Sequence, residues 1–237
     1  MELTYPHICF IKDEVPSEAL ADLEPIVVEK LGGSFSDMFP QFSSVFVEST
    51  KSIEESWGKP ILCLKKGVRN WLEYVVVQSS DRNLFFDLQP CFTDKKGVIF
   101  DEDYEMLPEG WKEIYRWFNS FSITELGYSP MEWWITPFRY EARLDLADYE
   151  KGSGASRQQT INFAKELGCK RDKLRCWLLT ETGDALFINE DRCDRKVYHV
   201  NGADLEDFKE IDDPVKRLDE YLSHLFSGSK EKGFNWR

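Results

Sequence analysis

Along this chain the apolar positions change period several times, and each change predicts an element. "HICFI" (7–11) reads as a strand. "SEALADLEPIVVEKLGG" (17–33) reads as a helix, with Leu20, Leu23, Val27, Val28 and Leu31 at helical spacing, Ser17 as cap and Gly32-Gly33 as stop. Next, "SSVFVES" (43–49) reads as a strand and "KSIEESW" (51–57) as a short helix. Strands then dominate: "PILCLKK", "LEYVVVQSS", "NLFFDL" and "KGVIFDED" are short β-branched or aromatic runs bounded by Gly, Asp-Arg and Pro. "LPEGWKEIYRWFNSF" (107–121) turns helical, with Trp111, Ile114, Tyr115 and Phe118 on one face. Pro108 sits near its first turn, where a missing N–H matters little.

The second half follows the same logic. The Gly-Ser cluster at 152–154 reads as a mobile loop. "SRQQTINFAKELGC" (156–169) is a helix between Ser156 and Gly168, with Ile161, Ala164 and Leu167 facing inward. "KLRCWLLTE", "DALFIN" and "KVYHV" give three strands. An acidic link, "ADLEDFKEIDD" (203–213), leads to the last helix, "DPVKRLDEYLSHLFSG" (213–228), with Asp213 as cap, Pro214 in the first turn, Val215, Leu218, Leu222 and Leu225 as the buried stripe, and Gly228 as stop. "SKEKGFNWR" (229–237) reads as a frayed tail.

These elements predict an α+β protein with a mainly antiparallel sheet and helices packed on one face. Two stretches share one plan of strand, charged turn, strand, acidic link and helix. In that match Phe85-Phe86 answers to Phe187-Ile188, Val98-Ile99 to Val197-Tyr198, and Trp111–Phe118 to Leu218–Leu225. The offset drifts, so this is a shared pattern and not a strict repeat.

Composition narrows the class of partner. The 237 residues are 42% hydrophobic and 14% aromatic, enough for a sizeable core. Net charge is −13, from 43 acids against 30 bases. That balance argues against broad nucleic-acid binding, which needs clustered Lys and Arg, and against an anionic membrane. Its complement is a basic partner, although acidity also serves solubility alone. No secretory leader is evident in "MELTYPHICFIKDEVP", and no run approaches the roughly 20 apolar residues of a membrane helix. Six scattered cysteines (9, 63, 91, 169, 176, 193) form no C-x-x-C and point to a reduced, cytoplasmic chain.

G-x-S-x-G, G-x-G-x-x-G, P-loop and H-E-x-x-H motifs are missing. His7, His199 and His224 lie far apart in sequence, without a nucleophile at recognisable spacing. "DEDYE" (101–105) and "EDRCD" (190–194) are dense in carboxylates but lack EF-hand spacing. Cys193 is flanked by Arg192 and Arg195, whose effect on its thiol Asp191 and Asp194 oppose. No cofactor or metal is implied. "EWWITPFRY" (132–140) stands apart: in an extended segment its rings cannot all face one core, so it is either a strand covered on both sides or an aromatic anchor for a partner.

Three pieces resemble the SUKH superfamily, which includes fungal cell-wall-synthesis regulators and bacterial immunity proteins. "LPEGWKEIYRWFNSF" (107–121) looks like its entry motif, "LLTETGDALFINEDRCDRKVYHV" (178–200) like its central hairpin, and "DDPVKRLDEYLSHLF" (212–226) like its closing helix. Two departures stand out: "VIFDEDYEM" takes the place of a preceding helix, and Ser120 follows Asn119 where the family has Gly. The resemblance implies a SUKH-like domain over 100–228, an N-terminal α+β region over 1–99 that is either distinct or a diverged copy, and a tail over 229–237. It further implies a non-enzymatic immunity protein that binds a cognate toxin, for instance a basic nuclease. The alternatives are a regulatory or scaffold module, or an enzyme whose cleft gathers Asp184, Asp191 and His199. For partner contact the expected residues are Asp101, Glu102, Asp103, Trp133, Trp134, Tyr140, Glu190, Asp191 and Asp194. The oligomeric state is left open.

Overall fold

The computed structural model describes residues 8–10, 23–66, 71–88, 107–118, 120–125, 144–180, 182–191, 196–202, 204–229 and 233–236. Among them lie two five-stranded antiparallel sheets and a set of helices, an α+β fold. The first sheet holds β1 (Ile8–Phe10), β2 (Ile61–Lys66), β3 (Trp71–Gln78), β4 (Arg82–Asp87) and β5 (Ser120–Glu125), side by side in chain order. The second holds β6 (Leu144–Asp145), β7 (Leu174–Leu179), β8 (Ala185–Asn189), β9 (Val197–Asn201) and β10 (Asp204–Glu210), again in chain order. Each sheet inserts helices between its first and second strands. In the first these are α1 (Pro25–Glu29), α2 (Phe35–Met38), α3 (Pro40–Val45) and α4 (Val47–Ser56); in the second, α6 (Leu146–Ser153) and α7 (Arg157–Glu166). A further helix, α5 (Lys112–Trp117), precedes β5, and α8 (Pro214–Phe226) follows β10.

The two sheets thus share an order, but with a correspondence one strand away from the sequence match. Phe85-Phe86 lies in the fourth strand of its sheet and Phe187-Ile188 in the third of the other. Val98-Ile99 and "KGVIFDED" lie outside the described residues.

Register explains the first core face. Val75 pairs with Phe86, Val77 with Leu84, Leu84 with Ile123, and Phe86 with Phe121. These side chains therefore share one face, and they pack with Phe35, Phe39, Phe42, Phe46, Ile114 and Phe118 from the helices. Several of the rings meet edge-on, as in Phe39–Phe118 at 4.8 Å and Phe42–Phe118 at 5.3 Å, while Phe42 and Phe46 stack at 4.9 Å. That packing corrects the reading of "SSVFVES" as a strand: the segment ends α3 and begins α4. Phe35, Phe39, Phe42 and Phe46 recur every four or three residues and bury as a helical stripe, which overrides the strand preference of Val45 and Val47.

The central strands of the second sheet, β7 to β9, are buried on both faces. Ala185 and Phe187 face α6 and α7, with Leu146, Tyr149, Phe163 and Ala164. Leu186, Ile188, Trp177 and Val197 face the other way, into the core shared with α8 and the first half. This is why "ALFI" (185–188) is an unbroken apolar run rather than an alternating one.

Helix α8 joins the halves. Trp111 Nε1 donates to Pro214 O at 3.1 Å and Trp57 Nε1 to Phe226 O at 2.6 Å, so an indole holds each end. Phe226 packs on Phe86 and Phe121 of the first sheet at 5.9 and 5.2 Å. Gly110 is a close-approach position: a Cβ there would lie 2.5 Å from a Val215 methyl and 3.0 Å from one of Val45.

Three further expectations change. Gly152 and Ser153 belong to the last turn of α6, which ends at Gly154 in the left-handed region, φ 77°. In α7, Thr160, Phe163 and Ala164 form the buried stripe with Leu167, and Ile161 falls on its rim, 38% exposed. The acidic link contains strand β10, where Leu205 is buried and Phe208 packs against the second core. As an edge strand it carries exposed acids, a common defence against stray pairing.

Candidate functional site

Helix α4 begins at Val47 after Phe46, which has no side-chain oxygen to accept its first N–H groups. A carboxylate from α8 takes that role. Asp219 accepts from Glu48 N at 3.0 Å through Oδ2 and from Ser49 N at 2.8 Å through Oδ1. The Ser49 hydroxyl lies 2.5 Å from Oδ1 and 3.0 Å from the Asp219 carbonyl. Asp219 is thus a helix cap supplied by another helix, its charge set against the positive end of α4. Above it opens a groove of about 500 Å³, lined by Glu48, Lys216, Asp219, Glu220, Ser223, His224, Ser227 and Phe234.

On the second sheet, His199 of β9 places Nε2 3.1 Å from Asp184 Oδ1. The same oxygen accepts from Gly202 N at 3.3 Å, and Thr182 Oγ1 donates to Oδ2 at 2.8 Å. The carboxylate thereby ties the β7–β8 turn to the end of β9. The His199 side chain is only 4% exposed, and the Trp236 ring stacks on it at 5.8 Å. Nearby, burial pushes the Tyr149 hydroxyl up to about 12 and the Cys176 thiol up to about 12. Both stay protonated at neutral pH, which leaves neither a ready nucleophile.

Of the trio that the enzyme alternative would gather, Asp184 and His199 meet, but Asp191 does not join them. Asp184 precedes β8 and Asp191 follows it, so five strand residues at about 3.3 Å each separate them. Asp191 is exposed, and its Oδ2 accepts from Lys170 N at 3.2 Å. Glu190 is an internal partner: its side chain is 5% exposed and its Oε2 lies 3.3 Å from Arg175 Nε. Arg175 also reaches Asp145, which caps α6 through Ala147 N and Asp148 N. Asp101, Glu102, Asp103, Trp133, Trp134, Tyr140 and Asp194 lie outside the described residues, as does Cys193. Among the described residues no group of three or more His, Cys, Asp or Glu is placed to hold a metal, and no helix is long and apolar enough to cross a membrane.

Two features escaped the sequence reading. One is that the acidic link is an edge strand, which sets its acids in a rim: Asp204, Glu206 and Glu210 on β10, then Asp212 and Asp213, are all exposed. Glu210 pairs with Lys196 and Asp213 caps α8 through Lys216 N, whereas Glu206 and Asp212 face solvent. The spacing of Leu205 and Phe208 was the available signal, blurred by the register shift between Asp204 and Phe208. The other is the end of the chain. Residues 233–236 do not fray; they run back along α8, and Trp236 is 6% exposed. Arg217 donates through Nε to Trp236 O at 3.3 Å and through Nη2 to Asn235 O. No family model, no curated protein and no solved structure matches the chain.

Proposed function

We propose that the chain is a non-enzymatic binding protein of the cytoplasm that neutralises a basic protein toxin by direct contact, as the SUKH-like motifs imply for immunity proteins. One observation carries the sign of the partner: the exposed acidic rim of β10 and the loop after it, on a chain of net charge −13. Glu206, Glu210 and Asp212 there would speed encounter with a basic surface and repel a second copy of the same edge. Asp191 extends the acidic surface at the end of β8, and the undescribed Asp101, Glu102, Asp103, Trp133, Trp134, Tyr140 and Asp194 remain expected contacts. Glu190, held against Arg175, acts by supporting β7 and β8.

The test is co-expression with the product of the adjacent gene in the native host, followed by association kinetics at low and high salt. The expected result is a 1:1 complex whose on-rate falls about tenfold or more when Glu206, Glu210 and Asp212 are changed to Lys. A metabolic neighbour with no co-purifying protein would sink the immunity reading. A stable complex indifferent to salt and to charge reversal would leave binding but remove the acidic rim as its basis.

A further inference from the structure

Residues 233–236 sit on α8 as a peptide sits on a receptor. One guanidinium, Arg217, reads two consecutive main-chain carbonyls, those of Asn235 and Trp236. Main-chain recognition of this kind is indifferent to side-chain identity. The side chains supply the selectivity. Phe234 packs on Tyr221 at 5.2 Å and on His224 at 5.7 Å, with the Arg217 guanidinium 5.3 Å from its centroid. Trp236 packs on Tyr221 at 4.6 Å and on His199 at 5.8 Å. The two rings are two residues apart, so an extended segment turns both to one side. Asn235 between them is exposed, as is Gly233 before them. Glu220, 2.5 Å from Arg217 Nη1, orients the guanidinium from behind.

We propose that the surface made by Arg217, Tyr221, His224 and His199 is a receptor for an extended peptide with aromatic residues at positions i and i+2, presented by a partner protein. The chain's own Phe234-Asn235-Trp236 occupies it as an internal competitor. The inference stands apart from the toxin reading, because it concerns aromatic and main-chain recognition rather than charge. A tethered competitor has a millimolar effective concentration. A free peptide therefore binds the intact chain only by displacing it, with an apparent affinity reduced by the fraction of open receptor.

The experiment uses the full-length chain with Phe234→Ala and Trp236→Ala, and a fluorescein-labelled synthetic peptide, KEKGFNWR, followed by anisotropy. The expected result is binding to the double variant at least about tenfold tighter than to the unaltered chain. Adding Arg217→Ala, or replacing both aromatics of the peptide by Ala, should abolish it. Equal binding by the two chains overturns the proposal. So does no binding to a double variant that still unfolds cooperatively in urea, and so does a double variant that does not fold, since the segment is then part of the core. Dimers of the unaltered chain that vanish in the double variant would reassign the surface to a second copy.

Discussion

Changing Asp219 to Ala should destabilise the protein by about 2.5–4 kcal/mol, through the start of a helix to which Asp219 does not belong. The carboxylate serves Glu48 N–H, Ser49 N–H and, in one of two geometries, the Ser49 hydroxyl. The hydroxyl keeps the Asp219 carbonyl at 3.0 Å as an alternative acceptor, so two donors lose their partner. Ser49 is fully buried, and its N–H has no route to water. A hydrogen bond to a charged group contributes roughly 1.5–3 kcal/mol, and an orphaned buried donor sits at the upper end of that range. Glu48 is exposed, so its N–H can recruit water and contributes the remaining ~1 kcal/mol. Asp219→Asn keeps one acceptor and the shape but not the charge, and should lose about half as much. Against a typical total of about 5–15 kcal/mol this is a large fraction. Equilibrium urea unfolding gives the comparison, with an unchanged slope showing that the unfolded state is the same. In a double-mutant cycle, Asp219→Ala and Ser49→Ala should couple by about 1 kcal/mol. The cap argument fails if Asp219→Ala lies within about 1 kcal/mol of the parent, or if Asn is no better than Ala.

Two other outcomes follow from packing and burial. Gly110→Ala drives a methyl to 2.5 Å from Val215 and should destabilise by about 1–3 kcal/mol; Val215→Ala in the same chain should recover part of that, whereas simple additivity would refute the clash. Cys176 rises from 9.0 to about 12 on burial, so between these values the unfolded chain releases a proton that the folded chain retains. Stability then falls as pH rises through that window, by at most about 1.4 kcal/mol per pH unit from this group. Urea melts of the parent and of Cys176→Ala from pH 8 to 11 should diverge, the variant falling less; parallel curves would show that the thiol is not held neutral.

Local signals were legible and distant ones were not. The limits of α8 could be read because Asp213, Pro214 and Gly228 act within a few residues of the helix ends. The Ser156–Gln159 capping box of α7 is local in the same way. Helix α3 and the first turn of α4 were misread because their stability comes from Phe39, Phe42 and Phe46 packing on Phe118 and neighbouring rings, which no window of sequence displays; the rest of α4 was legible in "KSIEESW". Strand β10 was missed because acids are poor strand formers on average, and an edge tolerates them. Asp219 has no local signal, because its partner Ser49 is 170 positions away. The end of the chain looked like a tail because Gly233 and its charged neighbours suggest fraying, while Arg217, which holds it, lies inside another element.

That separation has a consequence for biosynthesis. A ribosome adds about 5–20 residues per second, so the 170 residues between Ser49 and Asp219 take roughly 10–30 s to appear. Throughout that interval the nascent chain holds α4 without its cap, and from its synthesis onward Phe86 lacks Phe226 against it. The part of the aromatic face that Phe226 covers, at Phe86 and Phe121, is then open to chaperones and to other nascent chains alike. Closure waits on α8, which carries both Asp219 and Phe226.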